Sequence, residues 1–175
     1  MKIWHHSMTD LSILKQYRKN MTEHAQKVLD EDVEVILHGI PPDVYGTVPP
    51  IEALKYQYTE FLCERFVCEA AINAEKNGYD AFTIGCYLDT GLQRARSLVD
   101  IPVLGVTETS MLVACTLGRK FSMATNPTLP ESIPVYAKNC LPYRWDACEL
   151  RKVRVSSECD PKAPCHVKQA GNPVI

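Results

Sequence analysis

No stretch of this chain is apolar for long enough to cross a bilayer as a helix, and no excess of basic charge runs through it. Its 175 residues carry a formal net charge of −2. The first absence excludes a helical membrane span. The second removes the electrostatic footprint of a nucleic-acid binder. Residues Met1 to Asp10 lack the charged-then-apolar order of a secretory leader, so the expected location is cytoplasmic. The eight cysteines are then expected as reduced thiols. None of them stands in the close pair typical of zinc knuckles. Cys140, Cys148, Cys159, Cys165 and His166 are therefore not read as a metal site. Internal repeats and low-complexity segments are missing as well. What remains is ordinary globular composition, long enough for one domain or two small lobes.

What is present is alternation. Lys2 to His6 predicts a strand, and Ser7 to Asp10 a turn in which Thr9 or Asp10 caps a helix. That helix carries the stripe Leu11, Leu14, Tyr17, Met21, Ala25, Val28 and Leu29. Val33 to Leu37 predicts a second strand, stopped by His38 and Gly39. A loop from Ile40 to Ile51 follows, rich in proline, where Tyr45 sits on a flap. Glu60 to Asn77 predicts a helix with Gly78 at its end. Then come a strand at Tyr79 to Ile84, a helix at Thr90 to Leu98, and a strand at Ile101 to Val106. A helix from Thr107 to Leu117 and a strand from Phe121 to Thr125 complete the series. Strand–helix alternation of this kind predicts an α/β fold, an open parallel sheet with helices on both faces. From Leu141 the pattern fades into an irregular tail, whose last segment, Arg151 to Ile175, is basic by +3.

Ligands of such sheets sit beyond the C-terminal strand ends. The polar clusters Ser7 to Asp10, His38-Gly39, Cys86 to Thr90, Thr107 to Ser110 and Thr125-Asn126 all fall there. Of these, Thr83-Ile84-Gly85-Cys86-Tyr87-Leu88-Asp89-Thr90-Gly91-Leu92 says most. It puts a thiol where a strand stops and a helical pattern starts. The N–H groups and dipole of a helix N-terminus would favour the thiolate there. Cys63, Cys68 and Cys115 read as core cysteines, His24 and the basic residues Arg94, Arg96, Arg119 and Lys120 as solvated, and one of His5 and His6 as packed against the sheet. His38 ends its strand where it could bind a carboxylate or tune a thiol.

Three segments carry a family resemblance: Met1 to Ser7, the block from Ile84 to Leu92, and Ala95 to Gly105 with its Ile101-Pro102-Val103-Leu104-Gly105 ending. Gly118 to Thr125 adds a fourth. The chain resembles the aspartate/glutamate/hydantoin racemase superfamily, in its hydantoin racemase-like branch. The resemblance implies the first lobe of a two-lobe fold, residues 1–125, followed by a partial second lobe or irregular tail over 126–175. It implies cofactor-independent isomerase chemistry on a small molecule, an amino acid or a hydantoin-like derivative, with room for a homo-oligomer. Cys86 is then the catalytic acid/base, and Ser7, Tyr87, Thr107, Glu108 and Thr125 bind substrate, although helix capping is the favoured explanation of Thr107, Glu108 and Thr109. The chemistry suits a thiol, because a planar carbanion needs an acid and a base on opposite faces.

The family pattern also implies a second strand-then-cysteine block in the second lobe, and none follows Thr125. Cys140, Cys148, Cys159 and Cys165 do not succeed an apolar strand. Two other readings therefore stand beside racemisation. One is an inactive relative that binds a ligand or partner; the other is one-cysteine decarboxylation or isomerisation of a small dicarboxylate.

Overall fold

The computed structural model describes residues 1–118 apart from 47, 49 and 55 and the side chain of 51, together with the backbone of 121–125 and 148–152. Five strands and three helices of consequence build the first part: β1 (Lys2–Ser7), α1 (Lys15–Val28), β2 (Glu34–Gly39), a single turn α2 (Pro50–Ala53), α3 (Gln57–Lys76), β3 (Ala81–Gly85), a short α4 (Leu92–Arg96), β4 (Val103–Gly105), α5 (Val106–Leu117) and β5 (Phe121–Thr125). The first four strands form one parallel sheet in the order β2-β1-β3-β4. This is the α/β architecture that the alternation predicts.

Side-chain alternation along the strands decides which helix covers which face. Trp4, Ile36, Phe82 and Ile84 join the core with Cys63, Val67, Ala70, Ala71 and Ala74 of α3. These α3 positions recur at helical spacing, and the alanines let the helix lie close to the sheet. Phe82 and Ile84 are fully buried, each stabilising by about 1.5–3 kcal/mol. Ile3, His5, Val35, Leu37 and Thr83 point the other way, toward Met21, Ala25 and Val28 of α1.

The second face is less tightly closed. No residue of α1 is buried, and a gap of about 280 Å³ lies between it and the sheet. The apolar stripe read from the sequence is thus largely exposed, with Val28 at 59%. The expected cap is absent too. Asp10 accepts the Ser12 N–H at 2.8 Å in a local turn, and α1 starts only at Lys15.

Other boundaries differ in informative ways. β2 runs on through His38 and Gly39 because both stay paired with β1. The proline-rich loop ends in α2, with Pro50 at the first helical position, where its missing N–H costs nothing. The helix expected at Thr90 shrinks to Leu92–Arg96 and is preceded by Gly91 in a left-handed conformation. β5 does not join the four-stranded sheet. It pairs in parallel with β6 (Cys148–Lys152), a strand inside the stretch read as irregular. The arginine and lysine at 119 and 120, the side chain of Thr125 and those of Cys140, Cys148, Cys159, Cys165 and His166 lie outside the described residues. Among the described residues no helix is long and apolar enough to cross a membrane.

Candidate active site

The chain leaves β1 for β2 on one side and later returns to place β3 on the other. A crevice opens beyond the strand ends wherever the order of winding reverses in this way. In this sheet the reversal falls between β1 and β3. The register sets Ser7 opposite both Gly39 and Gly85, and Ile84 opposite Gly105. Three strands thus end on glycine and the fourth on serine, all along one edge. Cys86 follows Gly85 directly, so the thiol and Ser7 flank the reversal. The clusters at Ser7, His38, Cys86 and Thr107 accordingly share this edge of the sheet.

All three of those glycines are held to glycine by close approach, Gly39 by the backbone carbonyl oxygen of Thr9. A Cβ on Gly85 would stand 2.4 Å from His5 Nε2, and one on Gly105 would stand 2.4 Å from Asp89 Cγ. His5 also has its Nδ1 2.9 Å from the Thr83 hydroxyl.

Ser7 is buried and its hydroxyl lies 2.9 Å from that of Thr9. Cys86 is partly buried, with Sγ 4.0 Å from the Thr90 hydroxyl. It does not stand at a helix N-terminus, since a turn over residues 87–91 separates it from α4. The expected depression of its pKa does not occur. Burial pushes the thiol up, and the Leu88 N–H and the Thr90 hydroxyl only partly oppose this. The Asp89 carboxylate and Cys63 push it up further.

Tyr45 reaches into the same region from the proline-rich loop. Its hydroxyl donates to the Met8 carbonyl at 2.9 Å and lies 3.3 Å from Cys63 Sγ. Burial raises the pKa of both the Tyr45 and the Cys63 side chains. The tyrosine therefore pins the loop to the β1 turn and to α3.

The other positions singled out from the sequence are placed differently. Tyr87 is 62% exposed. Thr107 is buried, and its hydroxyl donates to the Tyr87 carbonyl at 2.7 Å. Glu108 is engaged by Arg96 in a two-pronged ion pair, so Arg96 is not a solvated charge. It also donates to the Val103 carbonyl. Arg94 pairs with Glu64. His38 stacks on Trp4 with ring centroids 3.4 Å apart, and its Nε2 lies 3.2 Å from the Tyr79 hydroxyl. Those contacts hold it on the α3 face of the sheet. Cys115 is only partly buried, unlike Cys63.

Sequence reasoning passed over Asp89. It is 2% exposed, sits in a left-handed conformation at φ +43°, and accepts the N–H groups of Thr107 and Glu108 at 3.1 and 2.8 Å. The clue was available. Aspartate is among the few residues that tolerate this conformation, and Asp89 directly precedes a Thr-Gly pair.

Residues 15–144 match the family model described as Asp/Glu/Hydantoin racemase. A hydantoin racemase of Pseudomonas sp. (strain NS671) is 38% identical over 73 residues, which are 42% of this chain and 29% of that protein. One from Rhizobium meliloti is 43% identical over 61 residues, or 35% and 24% of the two chains. The allantoin racemase from Klebsiella pneumoniae superposes with a TM-score of 0.65 at 21% identity, covering 87% of this chain and 58% of that one. The likeness to these relatives thus spans well under two thirds of their own length.

Proposed function

Because this chain belongs to the Asp/Glu/hydantoin racemase family, we propose that it catalyses cofactor-independent racemisation of a small carbon acid, with Cys86 as one acid/base. The observation that carries the reading is the place of Cys86. It stands at the C-terminal end of β3, next to Ser7, where the sheet reverses its winding. A base here abstracts the proton from the stereogenic carbon. The resulting carbanion is flat, and return of a proton from the other face inverts the centre. Hydroxyls and N–H groups along the strand ends would take the charge that builds on the adjoining carbonyl oxygen.

A cyclic, hydantoin-like substrate fits better than a free amino acid. Ser7, Thr9 and Thr90 offer uncharged hydroxyls, which suit a ring carbonyl or ureide N–H. Asp89 adds negative charge beside the thiol, which disfavours a carboxylate there. Ser7 is assigned to a polar substrate atom, and Thr125 is carried as a second such contact. Tyr87, Thr107 and Glu108, which the resemblance offers as substrate contacts, are assigned instead to supporting the Cys86 turn.

One observation favours a second reading, one-sided chemistry by a single cysteine. Cys148 opens β6, so it stands at the N-terminal end of its strand, whereas Cys86 follows the C-terminal end of β3. The two do not mirror each other. Deuterium exchange at the α-carbon separates the readings. Aspartate, glutamate and a 5-substituted hydantoin would each be incubated in heavy water with wild type and Cys86→Ala. Exchange with racemisation of the hydantoin, abolished in the variant, is expected. Exchange with retained configuration would favour the one-sided reading. Folded wild type that exchanges none of the three would refute both.

A further inference from the structure

The turn that carries Cys86 has little to hold it in place locally. Both Asp89 and Gly91 take positive φ, +43° and +75°. Inside the turn the Asp89 N–H donates to the Cys86 carbonyl and the Leu92 N–H to the Asp89 carbonyl, at 2.9 and 3.0 Å. The helix that follows has only five residues. Leu92 anchors the far end of the turn in the core, and the polar attachments come from α5, which starts beyond the neighbouring strand. The N–H groups of its second and third residues bind the Asp89 carboxylate, and the Thr107 hydroxyl binds the Tyr87 carbonyl. Gly105, at the N-cap of α5, supplies no capping side chain and leaves the space that Asp89 fills.

As a helix cap this would be wasteful. A serine or asparagine at position 105 could cap α5 locally, without burying a carboxylate that must be taken out of water. What the remote aspartate adds is a mechanical link between the thiol's turn and the end of β4. That link explains the strained φ, the buried charge and the obligatory glycine together.

We propose that Asp89 and Thr107 are positioning residues for Cys86, bracing its turn against the first turn of α5 and so fixing where the thiol stands at the sheet edge. This rests on the reading of Cys86 as the acid/base. The titratable groups around the thiol are Asp89 on its own turn, Cys63 on α3 and Tyr45 on the proline-rich loop. From α4 and α5, Arg96 and Glu108 face one another in an ion pair.

The test uses Asp89→Asn, Thr107→Val and Thr107→Ser. Iodoacetamide labelling of Cys86 is followed against pH by mass spectrometry of the tryptic peptide spanning residues 77–94, in which Cys86 is the only cysteine. Thermal melting and turnover of the 5-substituted hydantoin are recorded in parallel. Asp89→Asn removes a negative charge, so its labelling midpoint should fall. Thr107→Val changes no charge, so any shift in it reports position alone. A change in labelling rate of about threefold or more at pH 8 is expected, with recovery in Thr107→Ser. For turnover, kcat should drop about tenfold or more in Thr107→Val with KM much less affected. Wild-type labelling in Thr107→Val, or a lower melting temperature in Asp89→Asn with an unshifted profile, would overturn the brace. Labelling needs no substrate. A wild type that turns over nothing would therefore refute the racemase reading and leave the brace to be judged by the labelling alone.

Discussion

A thiol works as a base only as thiolate, and burial works against Cys86 in that respect. Its pKa is pushed above the ordinary cysteine value, first by desolvation and then by Asp89 and Cys63. Proton abstraction should therefore keep rising with pH where an ordinary cysteine, ionising near 8.5, has begun to level off. A pH–rate profile of α-deuterium exchange measures this, and a plateau reached below that range would contradict the burial argument. His6 makes a prediction of another kind. It is 2% exposed, and neither ring nitrogen has a hydrogen-bond partner among the described residues. Desolvation, then the nearby His38 and His5, lower its pKa to about 4. Between that value and the unfolded value of 6.5 the unfolded chain binds a proton that the folded chain refuses. Stability is then complete above about pH 6.5 and falls as the pH drops toward 4, by about 3 kcal/mol in all. Urea midpoints between pH 7.5 and 4.5 should show the decline, and His6→Met should reduce it, leaving the shares of His5 and His38, whose pKa values burial also lowers.

At the level of elements, the proline-rich loop shows how a segment without regular structure is fixed. Tyr45→Phe keeps the ring and removes the hydroxyl that meets the Met8 carbonyl and Cys63. The expected loss is about 1 kcal/mol in chemical denaturation, with a larger effect on KM than on melting if the loop borders the substrate. Equal wild-type values in both would show that the loop is held by other contacts. This anchoring was only half legible. The aromatic on the flap stands out in the sequence, but its partners, Met8 and Cys63, are far from it along the chain. Cys86 teaches a similar lesson. Gly85-Cys86 at a strand end could be read from the run of β-formers before it. The turn that displaces the helix to Leu92 could not, because it depends on Asp89 reaching α5. The same holds for α1, where apolar periodicity gave a helix but not how deeply it would pack.

On the scale of the whole molecule, the two faces of the sheet differ in how firmly they are covered. α3 sends five residues into the core, while α1 buries none and overlies a gap. Amide hydrogen exchange should therefore protect α3, β1 and β3 longest and release α1 early. Protection of α1 equal to that of α3 would refute this ranking. The parallel sheet itself was readable from alternation, because strand and helix periods differ. The departure of β5 to pair with β6 was not, since nothing local in Phe121 to Thr125 specifies its neighbour. The glycines at the strand ends bear on how such a sheet can change over time. The space that a side chain would take at Gly39 is filled by the Thr9 carbonyl, at Gly85 by His5 and at Gly105 by Asp89. What each of these positions tolerates is thus decided by a residue elsewhere in the chain. Gly85→Ala should be harmful alone and much less so beside His5→Ala, whereas no exchange of side chains clears the Thr9 backbone from Gly39; Gly85 and Gly105 can thus be rewritten only in matched pairs, and single substitutions at those two will look forbidden when they are merely out of order.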